Sequence, residues 1–191
     1  MDLLLYAKSG QGIKSISDMI GEFFLNKGYN VKIIPEYIAA RFGTPMKVTI
    51  RISQEKLYSY NTIQNPDLLI ILDKSLIDLN LIKNIKENGI LLFNSEFDQE
   101  QFNKIKSIFK GDIYYINANK INLEYFNEYR LNTIFYGSLS YIFKNLYKED
   151  YLTNFIELFK LKFLKKLNKE NLNKQIELIK YSYKNTFLFE D

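Results

Sequence analysis

The chemistry this chain can offer is concentrated in two short segments. Ser9-Gly10-Gln11-Gly12 lies between an apolar run, Leu3–Tyr6, and a stretch of helical spacing that begins at Ile13. Glycines at such a strand-to-helix turn permit positive φ and let backbone N–H groups approach a ligand. The helix start adds a partial positive charge, so a phosphate or carboxylate can bind there without a charged side chain. Lys8 and Lys14 flank the turn and strengthen its attraction for an anion. The second segment, Pro35 to Pro45, follows a strand signal and carries one arginine, Arg41, and one glycine, Gly43. Loops at the carboxyl ends of strands are where α/β sheets bind ligands. Arg41 can clamp a phosphate or a carboxylate there, or form a pair between subunits.

Neither segment is a complete signature alone. The first is not a Walker loop, because no Gly-Lys-Ser/Thr follows at the required spacing. Gly10-Gln11-Gly12-Ile13-Lys14-Ser15 imitates G-x-G-x-x-G with serine in place of the third glycine. Glu36 falls 24 residues after Gly12, where a dinucleotide fold places the acid that holds a ribose. An anion-binding turn and a merely tight strand-to-helix turn both fit these residues. So do a ligand-clamping arginine and a surface arginine at position 41.

The missing residue types narrow the chemistry further. The 191 residues include no cysteine and no histidine. That excludes disulfides, thiol nucleophiles and cysteine-ligated iron–sulfur clusters, and it removes the commonest general base and transition-metal ligand. Reactions must use carboxylates, Lys, Arg, Tyr or backbone groups, or be carried by a partner. The net charge of +4 is modest. Lys160, Lys162, Lys165 and Lys166 read as a solvated helix face, so neither a nucleic-acid nor a membrane partner is expected. No apolar run reaches the length of a membrane span. Met1-Asp2-Leu3-Leu4-Leu5 lacks the basic start of a secretory leader, so a cytoplasmic location is expected.

The elements that must position these segments can be read from periodicity. Ile13, Ile16, Ile20, Phe23 and Phe24 share a helical face, and Gly28 sits where that helix would stop. Val31–Ile34 reads as a strand, and Val48–Ser53 has the alternation of a half-buried one. Leu68–Leu72 is apolar throughout, as a central strand covered on both faces would be. A helix is expected from about Ser75 to Asn88, a strand at Ile90–Phe93, a helix capped by Asp98 and running through Phe109, and a strand at Ile113–Ile116. After Asn117 the strand signals fade, and helices are expected over Tyr129–Asn145, Leu152–Leu167 and from Leu172 onward. The chain reads as one domain, residues 1–191, with an α/β fold: a doubly wound, mostly parallel sheet (Rossmann-like) with helical C-terminal elements.

Taken in order, these segments resemble the gamma subunit of the 2-oxoacid:ferredoxin oxidoreductases, the pyruvate:ferredoxin oxidoreductase family. Gly10-Gln11-Gly12-Ile13 is similar to the family's G-x-G-G-Q-G turn, with Ala7 and Ser9 standing where glycine is usual. Pro35-Glu36 through Arg41 and Gly43 to Ile50-Arg51-Ile52-Ser53 resembles its P-E-x-R-G-G segment leading into V-R-I-S, with Tyr37–Ala40 lengthening the loop and Phe42 in place of a small residue. Pro66-Asp67 before Leu68–Leu72 is similar to P-D-x-L-I-A-L, and Asn132 to Gly137-Ser138-Leu139 to the N-x-x-x-x-G-A-L helix. Lys162, Asn171 and Lys174 resemble positions of its C-terminal helices.

The resemblance implies a complex that oxidatively decarboxylates a 2-oxoacid with coenzyme A, giving acyl-CoA, carbon dioxide and electrons for ferredoxin. Thiamine diphosphate and the iron–sulfur clusters then belong to other subunits: alpha, beta and a ferredoxin-like delta. This chain takes a structural or coenzyme-A-supporting part, binds none of those cofactors alone, and has no catalytic residue. Gly10, Gln11, Gly12 and Arg41 become its candidates for contact with a phosphate of coenzyme A or with a neighbouring subunit. Two alternatives are an independent nucleotide-binding domain using Gly10, Gly12 and Glu36, and a partner-binding paralogue.

Overall fold

The apolar run at Leu68–Leu72 lies at the centre of the protein. The computed structural model describes residues 1–36, 43–125 and 131–190. In it, strand β4 (Leu68–Ile71) is buried at every position. It pairs in parallel with β1 (Asp2–Lys8) on one side and β5 (Ile90–Asn94) on the other, and β5 pairs in parallel with β6 (Asp112–Ile116). Beyond β1 the sheet turns antiparallel. β3 (Pro45–Ser53) pairs with β1, and β2 (Asn30–Glu36) pairs with the far side of β3. A two-residue strand, β7 (Phe187–Leu188), runs antiparallel along β6. The order β2-β3-β1-β4-β5-β6-β7 makes a mixed sheet in which only β3 and β7 oppose the common direction.

Helices cover both faces. On one, α1 (Ile13–Asn26), α4 (Ala118–Tyr125), α5 (Leu131–Tyr147), α6 (Leu152–Phe163) and α7 (Lys169–Lys184) enclose a large core centred on Phe23, Phe24, Phe143 and Phe155. On the other, α2 (Leu79–Lys83) and α3 (Gln99–Ile108) pack Ile82, Phe102 and Ile105 against Leu69, Leu91 and Phe93. Helix α1 stops where Gly28 adopts φ +83°, and the Gly28 and Tyr29 N–H groups donate back to the carbonyls of Leu25 and Phe24. That glycine closure satisfies carbonyls which would otherwise end the helix without partners.

Three expectations change. The helix expected from Ser75 to Asn88 is broken into a 3₁₀ turn at Lys74–Leu76 and the five-residue α2. Asp78 makes the break, and Asp73 caps the 3₁₀ turn before it. Each is extended, and each carboxylate accepts the N–H two residues on, which restarts the chain instead of continuing a helix. The apolar spacing of Leu76, Ile82 and Ile85 survives because all three still face the sheet. The strand read as half-buried at Val48–Ser53 begins three residues earlier and hides Thr49 completely, because residue 63 lies across it and the Ile63 N–H reaches Thr49 Oγ1 at 3.5 Å. Finally, α4 and β7 were not expected. The first buries only Ala118, Ile121 and Asn122, and the second is too short to show a period.

The C-terminal helices are held by close approach. Gly137 of α5 faces α7, where an added Cβ would run into the Ile179 carbonyl and Ser182 Oγ and come within 2.8 Å of the Tyr183 nitrogen. Two of these three obstacles are backbone atoms, so a side-chain rotation cannot relieve the clash. Gly137→Ala is therefore expected to destabilise the fold by about 2–3 kcal/mol through overpacking, read as a lowered denaturant midpoint. An unchanged midpoint would show that α7 can move away from α5.

Candidate functional site

The glycine turn sits at the carboxyl end of β1, where the chain leaves the sheet on one side and later returns through β4 on the other. Both glycines need to be glycines. Gly10 has φ +96° and Gly12 φ +81°, a region that side chains rarely tolerate. Gly12 is also crowded, since a Cβ there would lie 2.8 Å from Asn132 Cβ on α5. Gly12 caps α1 with no side-chain hydrogen bond, and the first turn of α1 holds no acidic residue. The helix start therefore keeps its positive end uncompensated by its own side chains.

The two segments singled out by the sequence meet here. Ser9 N–H donates to the Thr44 carbonyl at 2.8 Å, and Gly43 N–H donates to the Ser9 carbonyl at 3.2 Å. The glycine turn is thus fastened to Gly43 and Thr44 of the second segment. Arg41 itself, with residues 37–42, lies outside the described residues. Glu36 does not join the turn. Strand β3 intervenes between β1 and β2, and Glu36 lines a cleft with Leu4 and Lys47. Ile33 and Pro35, its neighbours of opposite facing, line the slot against α1 instead. Glu36 therefore points away from the helix whose N-terminus it would have to serve.

An unexpected residue, Asp73, occupies the middle of the turn's polar side chains. Gln11 is almost fully buried: its Oε1 accepts the Lys8 N–H at 2.8 Å, and its Nε2 donates to Asp73 Oδ2 at 2.8 Å. Lys8 Nζ stands 3.2 Å from the same oxygen. Asp73 Oδ1 accepts both the N–H and the hydroxyl of Ser75, at 3.0 and 2.7 Å. Burial pushes the Asp73 carboxyl up, but the hydrogen bonds from Ser75, Gln11 and Lys8 outweigh it and hold the group below its ordinary value. The anion drawn to Lys8 and Gln11 is thus a carboxylate of the chain itself. Gln11 acts as a strut between the turns after β1 and β4. Gly10, just before Gln11 in the turn, is exposed. Asp73 could have been suspected from its place directly after the buried β4 run, at the end of the strand that must neighbour β1.

Helix α5 completes the turn from the other side. Asn132 lies over Gly12, and one helical turn on, the Tyr136 hydroxyl is 2.6 Å from Ser15 Oγ. Burial pushes the Tyr136 phenol up to about 12, with hydrogen bonds to Ser15 and Asn132 acting in the opposite direction. It is protonated at neutral pH and cannot serve as a base there. At the end of β5, buried Asn94 donates to the Leu72 carbonyl at 3.0 Å and accepts from the Ala118 N–H at 2.9 Å, which locks the neighbouring strand ends together. Beside them an open cleft of about 620 Å³ is lined by residues including Lys74, Ser75, Glu96 and Phe97. Among the described residues, no three of His, Cys, Asp or Glu gather as a metal site would require, and no helix is long and apolar enough to cross a membrane.

Comparison with known proteins places this arrangement among relatives. The family described as pyruvate ferredoxin/flavodoxin oxidoreductase matches residues 2–183. Pyruvate synthase subunit PorC of Thermotoga maritima is 35% identical over 134 residues, covering 70% of this chain and 69% of that protein. The pyruvate/ketoisovalerate oxidoreductases common subunit gamma of Thermococcus kodakarensis is 25% identical over 142 residues, covering 73% and 76%. The crystal structure of pyruvate oxidoreductase subunit PORC from T. maritima superposes with a TM-score of 0.77 at 26% identity, covering 100% of this chain and 98% of that one. A 2-oxoglutarate:ferredoxin oxidoreductase from Magnetococcus marinus shares the fold, with a TM-score of 0.74 at 22% identity over 95% of this chain and 30% of its longer one.

The Asp73 junction makes a pH-dependent prediction. Because folding lowers its pKa, its contribution is complete above the unfolded carboxyl value of about 3.9 and fades as the pH falls through the lower folded value. Asp73→Asn should cost about 1–2 kcal/mol at pH 7. The gap between variant and wild type should narrow below about pH 4. Denaturant unfolding of both proteins at pH 7 and pH 3 measures this; a gap that stays constant would show that the carboxylate charge contributes nothing.

Proposed function

This chain belongs to the pyruvate ferredoxin/flavodoxin oxidoreductase family, and we propose that it is the gamma-type subunit of a multisubunit 2-oxoacid:ferredoxin oxidoreductase. The single observation that carries this reading is the family match over residues 2–183, and the turn, the Gly43–Thr44 segment and Asn132 converge within it on one end of the sheet. In such an enzyme, thiamine diphosphate supplies the stabilised carbanion that decarboxylation needs, and iron–sulfur clusters take the electrons. A chain with no cysteine cannot ligate those clusters through thiolates. The alpha, beta and ferredoxin-like delta subunits are its proposed partners, ferredoxin is the acceptor of the complex, and the cytoplasm is its proposed location.

Within that complex the chain's role is binding and support. The backbone of Gly10 and Gly12, at the uncapped start of α1, faces a phosphate of coenzyme A, and Arg41, two residues before Gly43 in the sequence, supplies the charge. Gln11 braces the turn, accepting the Lys8 N–H and donating to Asp73. Among the described residues of the site, Asp73 is engaged at both oxygens and Tyr136 keeps its proton. The reading as an independent dinucleotide domain is disfavoured by Glu36, which lies two strands from the turn and on the other face of the sheet.

Purification of the native chain tests the first part of the proposal. It should co-elute with thiamine-diphosphate and iron–sulfur subunits in constant ratio, and a chain that runs alone would overturn it. Arg41→Ala should raise the KM for coenzyme A about tenfold or more, as loss of a charged hydrogen bond of ~1.5–3 kcal/mol would, with little change in kcat. An unchanged KM in an intact complex would remove Arg41 from the site.

A further inference from the structure

We propose that the end of α6 is the surface through which this chain docks onto an acidic, apolar-centred patch of a neighbouring subunit. The inference rests on the reading of the chain as part of a multisubunit enzyme and adds to it which face meets a partner, and with what chemistry. Leu161, in the last turn of α6, and Leu164, the capping residue just after it, are 78% and 62% exposed. Leu161 also lines a cleft of about 310 Å³ between α6 and the end of α1, with Phe23, Lys27 and Leu158 among its walls. Around the leucines lie Lys160, Lys165 and Lys166, all exposed and without a carboxylate partner among the described residues. The neighbouring Lys162 differs: it is bound at 2.7 Å to Glu22 of α1.

The lysines alone need no partner, since cations near a helix C-terminus are favoured by the helix dipole. The leucines are what that account leaves over. Phe155, Ile156 and Phe159 already bury the inward face of α6, and Phe163 stacks on Phe159 at 4.6 Å. Leu161 and Leu164 therefore do nothing for the chain's own core. Apolar side chains at the centre of a polar rim are the ordinary anatomy of a protein interface, and unpaired rim charges select a partner of opposite sign.

The charge pattern also decides between occupants. A second copy of this chain would bring the same lysines against themselves. A nucleic acid would call for arginines and exposed aromatic faces rather than leucines. A lipid surface would need a longer apolar face than two leucines on a twelve-residue helix. Glu157, one turn before Leu161, is the nearest acid on the same helix and marks the limit of the basic patch. A carboxylate-rimmed shallow pocket on an adjacent subunit satisfies both the leucines and the lysines.

The test is assembly of the full chain with the other subunits of its oxidoreductase, co-expressed and purified together. Assembly of the wild type should weaken as salt is raised from 50 to about 500 mM, because screening acts on rim charges. A triple charge reversal, Lys160→Glu, Lys165→Glu and Lys166→Glu, should weaken assembly at least tenfold, and Leu161→Ser with Leu164→Ser should do the same. The melting temperature of the isolated chain should stay unchanged in both variants, since all five side chains are exposed. Wild-type assembly indifferent to salt and retained in both variants would overturn the proposal, and the salt series needs no variant to fold. So would wild-type chain that sediments with phosphatidylglycerol vesicles and loses only that binding in the variants. A wild-type chain that co-elutes with no subunit at all would overturn the subunit reading, and this surface with it.

Discussion

One carboxylate holds the working end of the sheet together. The chain leaves β1 toward β2 and β3 on one side and returns to the other side through β4, so the turns after β1 and β4 are neighbours in space but far apart in sequence. Asp73 joins them, accepting from Gln11 and facing Lys8 on one oxygen while Ser75 occupies the other. The Gln11 side chain relays the contact to the backbone of Lys8. This arrangement fixes the path of the glycine turn, and with it the direction in which α1 sets out. Asp73 also caps the 3₁₀ turn that follows β4, so one residue both starts that turn and makes the junction.

The glycine turn is held from two further directions. On its outer side, Ser9 extends the β1–β3 pairing to Gly43 and Thr44. On its inner side, Asn132 and Tyr136 of α5 press on Gly12 and Ser15. Residues that stand far apart in the sequence therefore pack around one backbone segment. Such preorganisation suits a binding edge whose contribution is geometry rather than chemistry. Beside the turn, Asp73 is ionised and engaged and Tyr136 is neutral and buried.

Most of the architecture was legible because the core is strongly patterned. The uninterrupted apolar run at Leu68–Leu72, the helical face of Ile13 to Phe24 and the Asp98 cap each left a local signature, and each element formed where expected. What escaped had tertiary causes. Thr49 looks like a solvent-facing residue until residue 63 crosses it. The two-residue β7 exists because Phe189 N–H reaches the Ile113 carbonyl at the edge of β6, which no local pattern announces. At the site, glycine spacing correctly marked a turn requiring positive φ. It could not reveal that Gln11 points inward, since Asp73 lies 62 residues away. Glu36 shows the converse: its spacing from Gly12 suits a ribose contact, but the insertion of β3 beside β1 and the alternation along β2 put it on the other face.

Division of labour gives these features a common logic. A subunit that carries neither thiolate nor imidazole has no need to expose reactive groups at its binding edge, so its turn can be locked by internal bonds. The cost of such rigidity falls on contacts made elsewhere. If the glycine turn meets its ligand through backbone N–H groups, its affinity is limited by the few donors at one helix start. A second, broad surface is then needed to hold the chain in register with the subunits that do the chemistry. The leucine–lysine end of α6 has the composition for that task. The inward face of the same helix belongs to the packed layer that buttresses the turn, because Phe159 contacts Tyr136 at a ring separation of 6.0 Å and Tyr136 bonds Ser15. Phe159 and Tyr136 thus connect the inward face of α6 to the start of α1.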